Sequence, residues 1–236
     1  MQVTAEKIAL AVSARRKFVD LRRLHVIFLR VSQFLTWPIA YVYFNLLYRL
    51  HINGRNNFKK VSSPFIIVAN HVNFLDSFLF RLILGFSTPH LPLRFTGVRR
   101  FNWRLLNFLS DIGVIGFVYD LFGVLTIIPG LGLENNLEES KRVLKDGGNV
   151  VIYPEGKIAT TEEMGTFKPG AAVLAIGAGA PVILVSFKIE PSRFFRSSLT
   201  VNIGEPMKVP TGMGTDNVTK MFRDGILALY SKKEEE

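Results

Sequence analysis

The chain has no cysteine. That single absence excludes disulfides, thiolate nucleophiles, cysteine-held metals and any cysteine-bound covalent intermediate. Histidine is scarce too, with four in 236 residues. His25, His51 and His90 are scattered, and none stands at metal-ligand spacing from His71. Acid is short against base, 19 Asp and Glu facing 29 Lys and Arg, for a net charge of +10. Basic domains that bind nucleic acid tend to be polar, whereas this chain is 48% hydrophobic and holds 20 phenylalanines. A chain both basic and apolar suits an anionic membrane surface, and nucleic acid is not an expected partner. There are no internal repeats, and the only biased tract is the tail SKKEEE. The length suits one domain with an appendage, enough to bury a sizeable core.

The charge is concentrated at the front. Lys7, Arg15, Arg16, Lys17, Arg22, Arg23 and Arg30 face only Glu6 and Asp20 there. An uncharged stretch follows, Val31 to Tyr48 (VSQFLTWPIAYVYFNLLY). It falls slightly short of the roughly 20 apolar residues that cross a bilayer core, and Ser32, Gln33, Thr36 and Asn45 dilute it. Pro38 is expected to kink a helix here. Trp37, Tyr41, Tyr43 and Tyr48 are aromatics suited to the headgroup level. No small-residue cleavage site follows, so the segment does not resemble a signal peptide. Residues 1–50 are read as a monotopic helical anchor or a short span, with the basic flank on the cytoplasmic side. Residues 51–236 are read as the catalytic domain, entered through a polar linker, HINGRNNFKK.

Along that domain strands and helices alternate. Phe65–Ala69, Leu93–Val98, Val150–Tyr153, Pro181–Ile189 and Leu199–Ile203 read as strands. Asp76–Leu84, Trp103–Ser110, Glu134–Asp146, Ala171–Gly177 and Val218–Tyr230 read as helices, the third stopped by Gly147-Gly148. On Trp103–Ser110, Leu105, Leu106 and Leu109 are expected on one side. Residues 112–133 are almost continuously apolar and read mainly as core. The fold class is α/β, a mixed and largely parallel sheet flanked by helices.

In open α/β sheets, sites gather beyond the carboxyl ends of strands. Two apolar strands here run directly into polar residues: VAN-HVNFLD (His71 to Asp76) and VVIYP-EGK (Glu155 to Lys157). Positions five apart lie about 140° apart on an ideal helix. His71 and Asp76 therefore meet only if the histidine lies on the turn and the aspartate in the first helical turn, where an acid is welcome. The carboxylate then takes Nδ1–H and leaves Nε2 as a base for a hydroxyl proton. The competing reading is a helix cap or a satisfied polar pocket. Lys157, and Lys168 in the downstream FKPG, add charge to a glycine-bearing turn and helix start able to bind an anion. The bland alternative is a turn with solvated lysines.

These motifs, in this order, resemble the 1-acylglycerol-3-phosphate acyltransferase (PlsC-like) family. Its N-H-x-S-x-x-D motif is matched by Asn70-His71-Val72-Asn73-Phe74-Leu75-Asp76, and its F-P-E-G-T by Tyr153-Pro154-Glu155-Gly156-Lys157. Its F-K-x-G is matched by Phe167-Lys168-Pro169-Gly170, and its last strand by Ala180 to Val185. The resemblance covers residues 60–205 or so. It implies direct acyl transfer from acyl-CoA or acyl-carrier protein to a lipid hydroxyl, with no cofactor and no metal. His71 would be the base, Asp76 its orienter, and Glu155 and Gly156 would shape the acceptor pocket. It further implies that apolar surface within 112–133 could hold the acyl chain. Three departures stand out. The motif serine is Asn73, E-G-T-R has become E-G-K-I, and no arginine lies between Arg104 and Arg142, where the family has one for the acceptor phosphate. Lys157, Arg99 and Arg100 could compensate. Lysophosphatidate is the first acceptor implied. Another lysophospholipid, a glycolipid hydroxyl, or lipid binding without catalysis are the alternatives.

Overall fold

The computed structural model describes residues 5–73, 75–98, 104–158, 164–192 and 196–232, with side chains from residue 23 onward. The chain runs α1 (Ala5–Leu47), β1 (Tyr48–Asn53), a 3-10 turn (Arg55–Lys60), β2 (Ile66–Ala69), α2 (Asp76–Ile83) and β3 (Leu93–Val98). It continues through α3 (Arg104–Asp111), α4 (Val114–Phe122), β4 (Val124–Ile127), α5 (Leu133–Lys145) and β5 (Asn149–Ile152). It closes with α6 (Gly170–Ala178), β6 (Val182–Glu190), β7 (Ser197–Ile203) and α7 (Thr215–Tyr230).

The seven strands form one sheet in the order β1-β7-β6-β2-β5-β3-β4. Every pairing is parallel except β6 with β7. The central strand β2 is apolar throughout because both of its faces are covered. Along β2, Ile67 and Ala69 join a core with Phe44 of α1 and Leu79, Phe80 and Ile83 of α2. Ile66 and Val68 turn the other way, onto Leu137 of α5, Leu174 of α6 and Phe222 of α7. This period-two alternation sorts one strand between two helical layers. It confirms the mixed, largely parallel α/β sandwich.

Two expectations fail at the front. The polar stretch from residue 51 is not a linker: Tyr48–Asn53 is an edge strand paired in register with β7, Tyr48 opposite Ser197 and Asn53 opposite Asn202. A boundary at residue 50 therefore falls inside a strand. Nor is the preceding segment detached. α1 continues through Pro38, and its inner face is built into the domain at Leu29, Ala40 and Phe44. The buried Gln33 amide donates to the carbonyls of Leu93 (2.7 Å) and Phe122 (3.1 Å) and accepts from Leu93 N–H (2.9 Å). Arg30 Nε donates to Leu91 O, Ser32 Oγ to Leu121 O, and buried Arg81 Nε to Gln33 O. Two of the polar residues that dilute the apolar run, Ser32 and Gln33, thus bolt it down.

The apolar stretch 112–133 is not mainly core either. Ile115, Tyr119 and Leu125 are buried, but Ile112, Val114, Phe117, Ile128, Leu131 and Leu133 are exposed. On α3 no side chain is buried.

Candidate active site

The parallel pairing of β2 with β5, Val68 opposite Ile152, brings their carboxyl ends together. The turns after them, 70–75 and 153–157, are therefore neighbours, as parallel α/β geometry requires. Asn70 locks the first turn to the next strand over. Its side chain donates to Phe187 O (2.8 Å) and accepts from Phe187 N–H (2.7 Å) of β6.

His71 Nδ1 lies 2.9 Å from Asp76 Oδ2, and the carboxylate is 2% exposed. The same Oδ2 accepts from the backbone N–H of Val72 (2.8 Å) and Asn73 (3.0 Å). An oxygen already facing two donors is an acceptor, so Nδ1 carries the proton and Nε2 presents its lone pair. The spacing works as the turn geometry demands, since Asp76 opens α2 and reaches back over the turn that precedes it. Asn73 builds that turn: Oδ1 accepts from Leu75 N–H (3.0 Å), an Asx arrangement, and Nδ2 donates to the Tyr48 hydroxyl (3.3 Å).

Two further groups hold the histidine. Glu155, 3% exposed, accepts from His71 N–H through Oε1 (3.2 Å) and from Gly165 N–H through Oε2 (3.1 Å). It shapes the site from beneath by clamping two backbone segments. The Tyr153 ring stacks on the imidazole, with centroids 4.3 Å apart and planes inclined by 19°. Burial, then the Asp76 charge, push the Tyr153 phenol well above its usual pKa, so it stays neutral. Burial foremost, with the Tyr43 and Asp76 charges adding, raises Tyr48 as well. Backbone, ring edge and ring face of His71 are thus all fixed, while its side chain remains 19% exposed.

Beyond Glu155 the turn needs Gly156. Its φ of +66° is a left-handed value, and a Cβ there would lie 2.7 Å from Lys168 Nζ. Lys168 N–H donates to Pro154 O (2.8 Å), which brings the FKPG segment onto the YPEGK turn. Lys157 and Lys168 are both exposed here. His71, Asn73, Asp76, Glu155, Gly156 and Lys168 therefore gather at one edge of the sheet, with Lys157 on the same turn. Arg99 and Arg100 lie outside the described residues. Sequence reasoning missed Tyr153 as the ring stacked on His71, Asn70 as the strand clamp and Gly165 as the second donor to Glu155. For Tyr153 a signal existed, an aromatic ending the strand next to that of His71.

A family model described as Acyltransferase matches residues 49–188. The chain belongs to the acyltransferase family. Among curated relatives, a chloroplast 1-acyl-sn-glycerol-3-phosphate acyltransferase of Arabidopsis thaliana is 28% identical over 59% of this chain and 36% of its own. The human 1-acyl-sn-glycerol-3-phosphate acyltransferase beta is 28% identical over 63% of this chain and 51% of its own. A Chlamydomonas reinhardtii relative of the same description is 30% identical over 59% of this chain and 38% of its own. The chain thus spans between 36% and 51% of the length of these relatives. The crystal structure of PlsC, the 1-acyl-sn-glycerophosphate acyltransferase of Thermotoga maritima, superposes with a TM-score of 0.59. That likeness covers 97% of this chain and 91% of the other at 19% identity, so the two share a fold.

Proposed function

We propose that this acyltransferase works at a membrane, moving a fatty acyl group from acyl-CoA or acyl-carrier protein to the free hydroxyl of 1-acylglycerol-3-phosphate. The observation that carries the reading is the held histidine, with Nδ1 on Asp76, Nε2 left as the acceptor and the side chain 19% exposed. The named activity of the relatives supports the acceptor class.

The chemistry follows from that geometry. A lipid hydroxyl attacks a thioester slowly until its proton has somewhere to go. Nε2 takes that proton as the hydroxyl oxygen forms its bond to the thioester carbonyl carbon. The Asp76 carboxylate stabilises the imidazolium that results. The tetrahedral centre then collapses, the C–S bond breaks, and the thiolate leaves with the proton returned by Nε2. An ester and a free thiol result, with no electron transfer. Lys157 and Lys168 supply positive charge on the turn beside the base, where the acceptor phosphate would sit.

A second acceptor class rests on one specific observation. Residues 105–141 carry no arginine, so β4 and the turn after it contribute no guanidinium of their own for a phosphate. A lipid hydroxyl without a neighbouring phosphate, such as one on a glycolipid, would need none. A mass-spectrometric screen of lysolipid and glycolipid acceptors with one acyl-CoA separates the readings. Lysophosphatidate should be acylated fastest, and Lys157→Ala should raise its KM. Preferred acylation of a neutral acceptor, with a KM indifferent to Lys157, supports the second class instead.

Membrane association is part of the proposal. Arg23–Leu47 is long and apolar enough to cross a bilayer, yet its middle is hydrogen-bonded to the domain. The helix therefore suits a position along the surface, with its outward Leu35, Ile39 and Val42 in the acyl region. The basic residues ahead of it suit the cytoplasmic leaflet.

A further inference from the structure

We infer that α3 and α4 form a second membrane-inserting element, a wedge carried by the catalytic domain itself and separate from α1. The inference rests on the membrane reading above and adds the surface by which the site is set against the lipid.

The two helices meet at 82°. With eight and nine residues they are about 12 and 13 Å long, far short of the roughly 30 Å of a bilayer core. Neither alone nor as a pair do they span. They are too apolar for water all the same. Leu105 and Phe117 are 67% and 68% exposed, and Phe108, Ile112 and Val114 are exposed with them. Large side chains gathered on one bent pair of helices mark an interaction surface rather than scattered surface residues.

A bilayer is the occupant because of what the wedge is attached to. At its far end, Ser32 and Gln33 of α1 donate to the carbonyls of Leu121 and Phe122, joining the wedge to the helix whose segment Arg23–Leu47 is long and apolar enough to cross a membrane. Asp120, next to that junction in the chain, faces Arg94 near the start of β3, the sixth strand in the sheet order. The chain's net charge of +10 favours an anionic lipid surface over a second copy of itself. A second tether runs to the site. Tyr119 Oη donates to Val98 O (2.5 Å), at the carboxyl end of β3. β3 is separated only by β5 from β2, the strand that delivers His71, and all three run parallel. A wedge seated at the acyl boundary would thus hold that strand edge close to the headgroups, where a lipid hydroxyl lies.

The absence of native cysteine makes the test direct. Phe117→Cys, Leu35→Cys on α1 and Lys145→Cys on the opposite layer are each labelled in the full chain with an environment-sensitive fluorophore. Each is mixed with phosphatidylcholine–phosphatidylglycerol vesicles, with and without brominated acyl chains. The wedge predicts that the labels at 117 and 35 shift to the blue and are quenched by bromolipid, while the label at 145 does neither. Quenching at 35 but not at 117 overturns the wedge and leaves the membrane reading intact. Quenching at neither site overturns both. A label at 117 already shielded without vesicles, and unquenched with them, assigns the surface to protein contact and overturns the proposal. As a second measurement, Leu105→Glu with Phe108→Glu should weaken vesicle binding by about a hundredfold, roughly tenfold per side chain. Transfer to a short-chain, water-soluble acceptor should be unchanged. Unaltered vesicle binding by the double variant counts against the wedge.

Discussion

At the scale of single residues, the site is an account of how one imidazole is kept in one state. Asp76 Oδ2 faces three N–H groups, from His71 Nδ1, Val72 and Asn73. Asp76→Asn puts an amide where an acceptor is needed or lets the tautomer reverse. It should lower kcat by about 10²–10⁴-fold, with a smaller change in KM, measured by steady-state kinetics on folded protein. Glu155 is a more severe test of burial. Its two oxygens accept from His71 N–H and Gly165 N–H. Glu155→Gln keeps the shape but turns an NH₂ toward a backbone donor, so urea unfolding should show a loss of about 1–3 kcal/mol. Tyr153 supplies the pH dependence. Its folded pKa is raised above the unfolded one by burial and by Asp76. Its contribution is therefore fully present below the unfolded value of about 10 and is lost as pH rises from there toward the folded value. Tyr153→Phe keeps the ring on His71 and removes the ionisation. Its urea midpoint should fall less between pH 9 and pH 11 than that of the parent chain, and an equal fall would contradict the assignment.

Among the elements, those with strong local signals were legible and those defined by distant partners were not. The central strands announce themselves as apolar runs because both faces are covered. Their order along the sheet, with β2 between β6 and β5, is set by packing and is written in no single segment. β1 was hidden for the same reason. Its YRLHIN alternates, its end at Asn53-Gly54 resembles a turn, and its sheet neighbour, β7, lies some 150 positions later in the chain. The candidate base and its carboxylate were legible because a costly pair sat directly after a buried strand. The Glu155 clamp was not, since what it accepts from are backbone N–H groups. Gln33 was misread most plainly. It appeared to dilute an anchor, whereas it is the joint between α1, β3 and α4. Gln33→Ala would leave buried backbone groups of Leu93 without partners and should cost about 2–3 kcal/mol, read from the urea midpoint. Removing residues 1–50 takes away Phe44 and half of β1 as well. That truncation is therefore expected to unfold the domain, seen as lost helical circular dichroism and aggregation, instead of releasing a soluble enzyme.

At the scale of the whole molecule, exposed apolar side chains on α1, α3 and α4 accompany a sheet whose carboxyl end carries His71. A basic, cysteine-free chain of this build suits direct transfer from a soluble thioester to a hydroxyl anchored in lipid, without a covalent enzyme intermediate. Such a mechanism predicts that no acyl group stays on the protein. Mass spectrometry of the intact chain after mixing with acyl-CoA alone should show its unmodified mass. The central claim is that His71 is the base. Its most direct measurement is transfer of labelled acyl groups from acyl-CoA to 1-acylglycerol-3-phosphate in vesicles by the parent chain and by His71→Ala, with folding and vesicle binding checked in parallel. The account predicts transfer by the parent and loss of at least about a hundredfold in the variant, with fold and binding retained; equal transfer by the two proteins would contradict it.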